Sequence, residues 1–339
     1  MTGMGERGGV FTVGAARVRV VTDCPVDISF IVDAEERVVR KLVDRGLWPH
    51  ETVTLFVLDD LASLAGHLAQ THRLVADDVV RLPQRPMVNL YDPRHAMECF
   101  IFVNRQIMIA EDYWDDGMAA EGLLAHEHAH PLSESSATAA ARALTVEAQG
   151  PQSLVPLAAQ LGRMLSTGAV TELRANAFCV ASGFVEAMMH LDRLTLRRAM
   201  DNLRQRAELE RRVSSAVAAG TLPANEEGAV LRLADAQISL PFALEVVPFA
   251  GAGLTEEATE LERLLVDGLM SHMVPQVAGI YRDLRELFLR LNPEWGGDTL
   301  KAWCVDILDH LSAFLSEGGA PLTLRLAAAR PALNAGSPT

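Results

Sequence analysis

The stretch LLAHEHAHP, residues 123–131, sets three histidines and a glutamate into five positions of a chain that has ten histidines in 339 residues. His126, Glu127 and His130 form H-E-x-x-H on a segment, MAAEGLLAHEHAH, whose apolar positions recur at helical intervals. Residues four apart in a helix stand about 40° apart around its axis, so both imidazoles face one point, as two ligands of a zinc ion must. Glu127 projects beside this pair, where a carboxylate can accept a proton from a metal-activated water. His128, two positions from each ligand, points to roughly the opposite side and is expected to be structural or to support the site from behind. The preceding AAEGLLA supplies an apolar stripe, expected to bury one face of the helix and leave the other for chemistry. Pro131 lacks an N–H and disfavours helical geometry in the residue before it, so the helix is expected to end at His130.

Two histidines leave a catalytic zinc site short of its usual three protein ligands. Ser133 and Ser136 stand where an extended H-E-x-x-H-x-x-G-x-x-H would have its glycine and final histidine, which excludes that branch of zinc peptidases. Further on, VTELRANAFCVAS, residues 170–182, places Glu172 and Asn176 four apart on one helical face. Glu172 is thus a candidate third ligand, and Asn176 a candidate hydrogen-bond partner for a ligand histidine. The 41 residues between His130 and Glu172 contain a competing carboxylate, Glu147 in ALTVEAQGP, which has no partner asparagine. Tyr113, His190, His272 and Tyr281 are candidate donors to a tetrahedral oxyanion, and each also suits an ordinary core position.

H-E-x-x-H followed tens of residues later by a helical E-x-x-x-(D/N) resembles the gluzincin branch of the zincin metallopeptidases. The ExxAN.F pattern is similar in particular to the ImmA/IrrE-type and related small soluble gluzincins. The resemblance covers roughly residues 50 to 190 and leaves out the helical C-terminal third. It implies that His126, His130 and Glu172 bind Zn2+, that Glu127 is the general base, and that the N-terminal sub-domain is zincin-like. It also implies that the strand around FIFVNRQIMI, residues 100–109, holds an extended peptide by main-chain pairing. Phe100, Phe102 and Ile107 on that strand are also ordinary core residues.

Working outward, the first 115 residues alternate two periodicities. ARVRVVT suits a strand, DAEERVVRKLVDRGLW a helix, TVTLFVLDD a strand and LASLAGHLAQTHRL a helix, and after a proline-punctuated segment ECFIFVNRQIMIA suits a strand or hairpin. Beyond residue 117 the strand signal disappears and long helical segments follow, with Pro275 an expected kink and LPANEEG an expected linker. The expected fold is α+β: residues 1–130 form a sub-domain with a mixed sheet ending in the active-site helix, 131–325 a mainly α-helical sub-domain carrying the third ligand, and 326–339 a flexible tail. The opening glycines are expected to fray as well.

The net charge of −14 argues against nucleic acid or anionic membrane as partner, because neutralising phosphates takes clustered Lys and Arg. Seven arginines between residues 193 and 212 are interspersed with acids and read as a solvated helix face. Cys24, Cys99, Cys179 and Cys304 lie far apart with no paired spacing, so neither a thiolate zinc site nor a small disulfide framework is expected, which suits a reduced cytoplasmic protein. No run approaches the roughly 20 apolar residues of a membrane span. The expectation is a zinc-dependent metallopeptidase acting on a peptide or protein substrate, and the alternative a non-catalytic zinc-bound binding module on the same scaffold.

Overall fold

The computed structural model describes residues 7–48, 50, 52–59, 61, 84–91 and 98–328. ARVRVVT forms β2 (Ala16–Thr22) after β1 (Arg7–Val13), and its period of two buries Ala16, Val18 and Val20 while Arg17 and Arg19 face water. The opening glycines expected to fray belong in part to β1. Gly8 passes so close to β2 that a Cβ there would run into the Val20 carbonyl oxygen. α1 (Ser29–Asp44) buries Ile31, Ala34, Glu35, Val38, Val39 and Leu42, a stripe at helical spacing broken by one carboxylate. β3 (Thr52–Leu58), β4 (Met87–Leu90) and β5 (Glu98–Asn104) complete a five-stranded mixed sheet in the order β1-β2-β3-β5-β4. β2, β3 and β5 run parallel, and β1 and β4 pair antiparallel at the two edges.

Residues 98–110 are not one strand or hairpin. β5 stops at Asn104, whose side chain accepts the Ile107 N–H and caps α2 (Arg105–Ala110). The helix expected at LASLAGHLAQTHRL lies, apart from Leu61, outside the described residues. On one face of the sheet Phe102, Leu58 and Leu61 form a cluster with Phe56, Val88, Leu90 and Phe100 around it. The opposite face carries Val53, Leu55, Val57, Ile101 and Val103, all sealed from water. Each such side chain contributes about 1.5–3 kcal/mol of apolar burial.

The chain continues through α3 (Gly117–Leu132), α4 (Ser136–Arg142), β6 (Leu144–Gln149), α5 (Val155–Leu165), α6 (Thr167–Ala181), α7 (Val185–Asp201) and α8 (Leu203–Ala218). α9 (Glu227–Ser239), α10 (Ala243–Gly251), α11 (Thr255–Arg263), α12 (Val277–Leu289), α13 (Gly297–Ser316) and β7 (Thr323–Ala328) follow. The helical stretch begun at VTELRANAFCVAS breaks at Gly183, which has φ +82°, and Lys41 and Arg45 donate to the carbonyls of Gly183 and Ala181 there. At Pro275 the chain leaves helix altogether between a 3-10 turn (Met270–His272) and α12.

The chain divides into two compact units, residues 1–133 with 175–198, and residues 134–174 with 199–339. The expected boundary at residue 130 falls near this division, but Ala175–Arg198 returns to the first unit instead of joining a contiguous helical sub-domain. The second unit is mainly helical, and its core holds a two-pronged ion pair of Arg206 with the fully buried Asp235, at 2.8 and 3.1 Å. It is not free of strands: β6 and β7 pair antiparallel, so the expected tail starts inside a strand and its remainder, residues 329–339, lies outside the described residues. Among the described residues no helix is long and apolar enough to cross a membrane.

Candidate metal centre

α3 is built to be held from all sides. Its first turn is capped by Asp116, whose carboxylate accepts the N–H groups of Met118 and Ala119 and also meets His190 Nε2 at 2.7 Å. Ala119, Ala120, Gly122, Leu124, Ala125, Glu127, His128, Ala129 and Pro131 are all buried. They occupy more than one face, so the helix is a central one and not the one-sided helix expected from AAEGLLA. Gly122 permits close packing on α7, since a Cβ there would lie 2.9 Å from the Ala187 carbonyl oxygen.

The helix also runs past His130 to Leu132 with Pro131 inside its last turn. Pro131 has no amide to give the Glu127 carbonyl, which would otherwise be left unpaired. Asn89, on β4, supplies the missing donor: its side-chain amide lies 2.6 Å from that carbonyl. The same residue's backbone N–H donates to Glu127 Oε2 at 2.8 Å, so one residue of the edge strand fixes both ends of the glutamate.

His126 Nε2 and His130 Nε2 face each other at 3.1 Å. Two ligands of one tetrahedral zinc, each at about 2.0 Å, stand about 3.3 Å apart, so the pair is already spaced for an ion. Asn176 Oδ1 lies 2.7 Å from His126 Nδ1. An amide oxygen only accepts, so the ring carries its proton on Nδ1 and turns the lone pair of Nε2 toward His130. Glu172, one turn before Asn176 on the continuous helix α6, brings a carboxylate oxygen into a group with the two histidines in which all three ligand atoms lie within 4.8 Å of one another. Two imidazoles and a carboxylate are a donor set that zinc takes, and the residues present fit it.

Comparisons of the chain with protein-family models, with curated proteins and with solved structures give no match. The gluzincin resemblance therefore stands on these residues and contacts alone.

Glu127, next in sequence to His126, is nearly buried, at 8% exposure. Asp192, on α7, is buried as well, and burial pushes its carboxyl up to about 8 against the opposing influence of His126. His128 points away from the pair and places Nε2 3.0 Å from Glu35 of α1. Glu147, the competing carboxylate, lies on β6, about half exposed, and pairs at 3.0 Å with Arg325 directly across on β7.

Three of the four oxyanion candidates are engaged in other ways. The Tyr113 hydroxyl is 2.8 Å from Thr195 Oγ1. His190 binds Asp116 at the far end of α3, ten residues and about 15 Å along the axis from His126. His272 is exposed in its 3-10 turn, and the buried Tyr281 donates to Glu262 at 3.1 Å. Sequence reasoning missed Asn89, Asp192 and Tyr91, whose hydroxyl reaches the His130 carbonyl at 3.4 Å. The one available signal was Asn89 itself, a polar residue inside the short apolar run MVNL.

Proposed function

We propose that the chain is a zinc-dependent metallopeptidase of zincin type, with His126, His130 and Glu172 as metal ligands. The observation that carries this reading is the convergence on one histidine pair of a carboxylate and an amide from successive turns of α6. A zinc ion held there would lower the pKa of a bound water toward 7 and polarise a carbonyl. Glu127 takes a proton from the water that attacks the scissile carbonyl and returns it to the leaving amine. The Asn89 N–H fixes one of its carboxylate oxygens, so no rotamer search precedes the transfer. Asn176 holds the tautomer and tilt of His126.

The strand expected to hold substrate, β5, has β3 on one side and β4 on the other and offers no open edge. β4 takes that place, being the edge strand and the one in contact with α3. The test is a peptide-library cleavage assay with metal analysis on wild type and Glu127→Gln. The variant is expected to keep fold and zinc while hydrolysis falls by about 10²-fold or more, the scale of a lost general base. Loss of its metal, or cleavage at the wild-type rate, rejects the role given to Glu127. Zinc at the site with no turnover by wild type points to a binding module.

A further inference from the structure

A second group of metal-ligating side chains lies deeper in the first unit. His50 lies two residues before the start of β3, Cys99 on β5 and His128 on α3, and one ligand atom from each falls within 4.8 Å of the other two. Their exposures are 3%, 1% and 0%. His128 Nε2 sits 3.0 and 3.1 Å from the two oxygens of Glu35, itself fully buried, so that nitrogen carries a proton toward the carboxylate. The other nitrogen, Nδ1, is sealed from water and has no hydrogen-bond partner. Leaving a buried polar atom unmet is costly, and apolar packing gives no reason to gather two imidazoles and a thiol in one place. The His50 and His128 rings are 6.1 Å apart, and Trp48 packs against both at 5.2 and 5.3 Å.

We propose that His50, Cys99 and His128 bind a zinc-type transition-metal ion at a buried structural site, separate from the His126–His130–Glu172 group. Imidazole and thiolate together are a set that zinc accepts. Zn–N and Zn–S bonds of about 2.0 and 2.3 Å put ligand atoms about 3.3–3.5 Å apart, inside the 4.8 Å within which these three already lie. Cys99 binds as the thiolate, its S–H proton passing to solvent as the ion is taken up during folding, and the hydrogen bond it now gives Asn89 Oδ1 at 3.3 Å is given up. The dication, one thiolate and the Glu35 carboxylate are then jointly neutral, which removes the cost of a buried net charge. Glu35 orients His128 as carboxylates behind metal-bound histidines do. The ion ties the segment before β3 to β5 and to the back of α3, so its role is to brace the helix that carries His126 and His130.

The inference does not rest on the peptidase reading, and cobalt separates the two. The full chain is stripped of metal and titrated with Co2+ alone. A sulfur-to-cobalt charge-transfer band in the near ultraviolet requires a thiolate ligand, and the His126–His130–Glu172 group contains no sulfur. The band is expected in wild type, is expected to persist in His126→Ala/His130→Ala, and is expected to vanish in Cys99→Ser with the loss of one equivalent of cobalt. The wild-type band and stoichiometry stand whether or not Cys99→Ser folds, and His50→Gln is a second variant expected to weaken the band. A wild-type protein without the band, or a band that survives Cys99→Ser in folded protein, overturns the proposal.

Discussion

Asn89 holds Glu127 twice, and the two bonds serve different ends. Its side chain pairs the carbonyl freed by Pro131, a matter of stability, whereas its backbone N–H holds the carboxylate, a matter of chemistry. Asn89→Ala removes only the first. It is expected to cost about 1–3 kcal/mol in urea denaturation, the penalty of an unpaired buried carbonyl, while peptide hydrolysis stays within about tenfold of wild type. A variant as stable as wild type would show that water pairs the carbonyl. On α6, Glu172→Ala is expected to abolish zinc binding by His126 and His130, and Asn176→Ala to weaken it by about 10- to 100-fold without unfolding, both read by competition with a chelating dye. Retention of full affinity by Glu172→Ala rejects it as a ligand. His126, His130, Glu172 and Asn176 were legible in the sequence because each pair is four apart in a helix, where interval fixes direction. Asn89, Tyr91 and Asp192 were not, since their relation to Glu127 and the histidines is set by sheet and helix packing that no local interval encodes.

Elements were legible where one period governed a whole segment. β2 and β3 alternate cleanly; β2 appears with the bounds its pattern implies, and β3 ends at Leu58, short of the aspartates that close its expected stretch. Residues 107–110 are as apolar as β5, and the Asn104 cap marks where strand gives way to helix. β6 and β7 are separated by well over a hundred residues and stabilise each other across that distance, so neither half shows its partner. For α3 the cap is the testable feature. Asp116 has its carboxyl held below the ordinary 3.8: burial raises it, and the Ala119 amide, His190 and the Met118 amide together outweigh that. A depressed folded value means the stabilisation is present above the unfolded pKa and is lost as pH falls through the folded one. Asp116→Ala is therefore expected to cost about 0.5–2 kcal/mol at pH 7, the range for a lost N-cap, with the gap narrowing in strong acid. Guanidinium titrations of both proteins at the two pH values check this, and a gap that widens in acid contradicts the assignment.

At the scale of the molecule, the α+β character and the helical second half followed from where strand periodicity stops, and the five-stranded mixed sheet agrees with that coarse reading. The return of Ala175–Arg198 to the first unit did not follow, because a helix reads the same whichever core it joins. Metal that binds only the folded chain raises its stability by mass action, about 2.7 kcal/mol at a hundredfold excess over the dissociation constant. Chelation is accordingly expected to lower the thermal midpoint by several degrees, and added zinc to restore it in wild type but only in part in His126→Ala/His130→Ala. Scanning calorimetry of the four samples checks this, and an unchanged midpoint after verified metal removal rejects it.

The bond from the Asn89 N–H to Glu127 also bears on how tightly a substrate is gripped. A peptide laid along β4 finds that amide already engaged, on a strand of only four residues, and so forgoes one main-chain hydrogen bond, worth about 0.5–1.5 kcal/mol. Under the proposed reading the loss falls equally on the ground and transition states, which raises KM and leaves kcat untouched. Selection among peptides then passes from the backbone to whatever side chains the substrate offers.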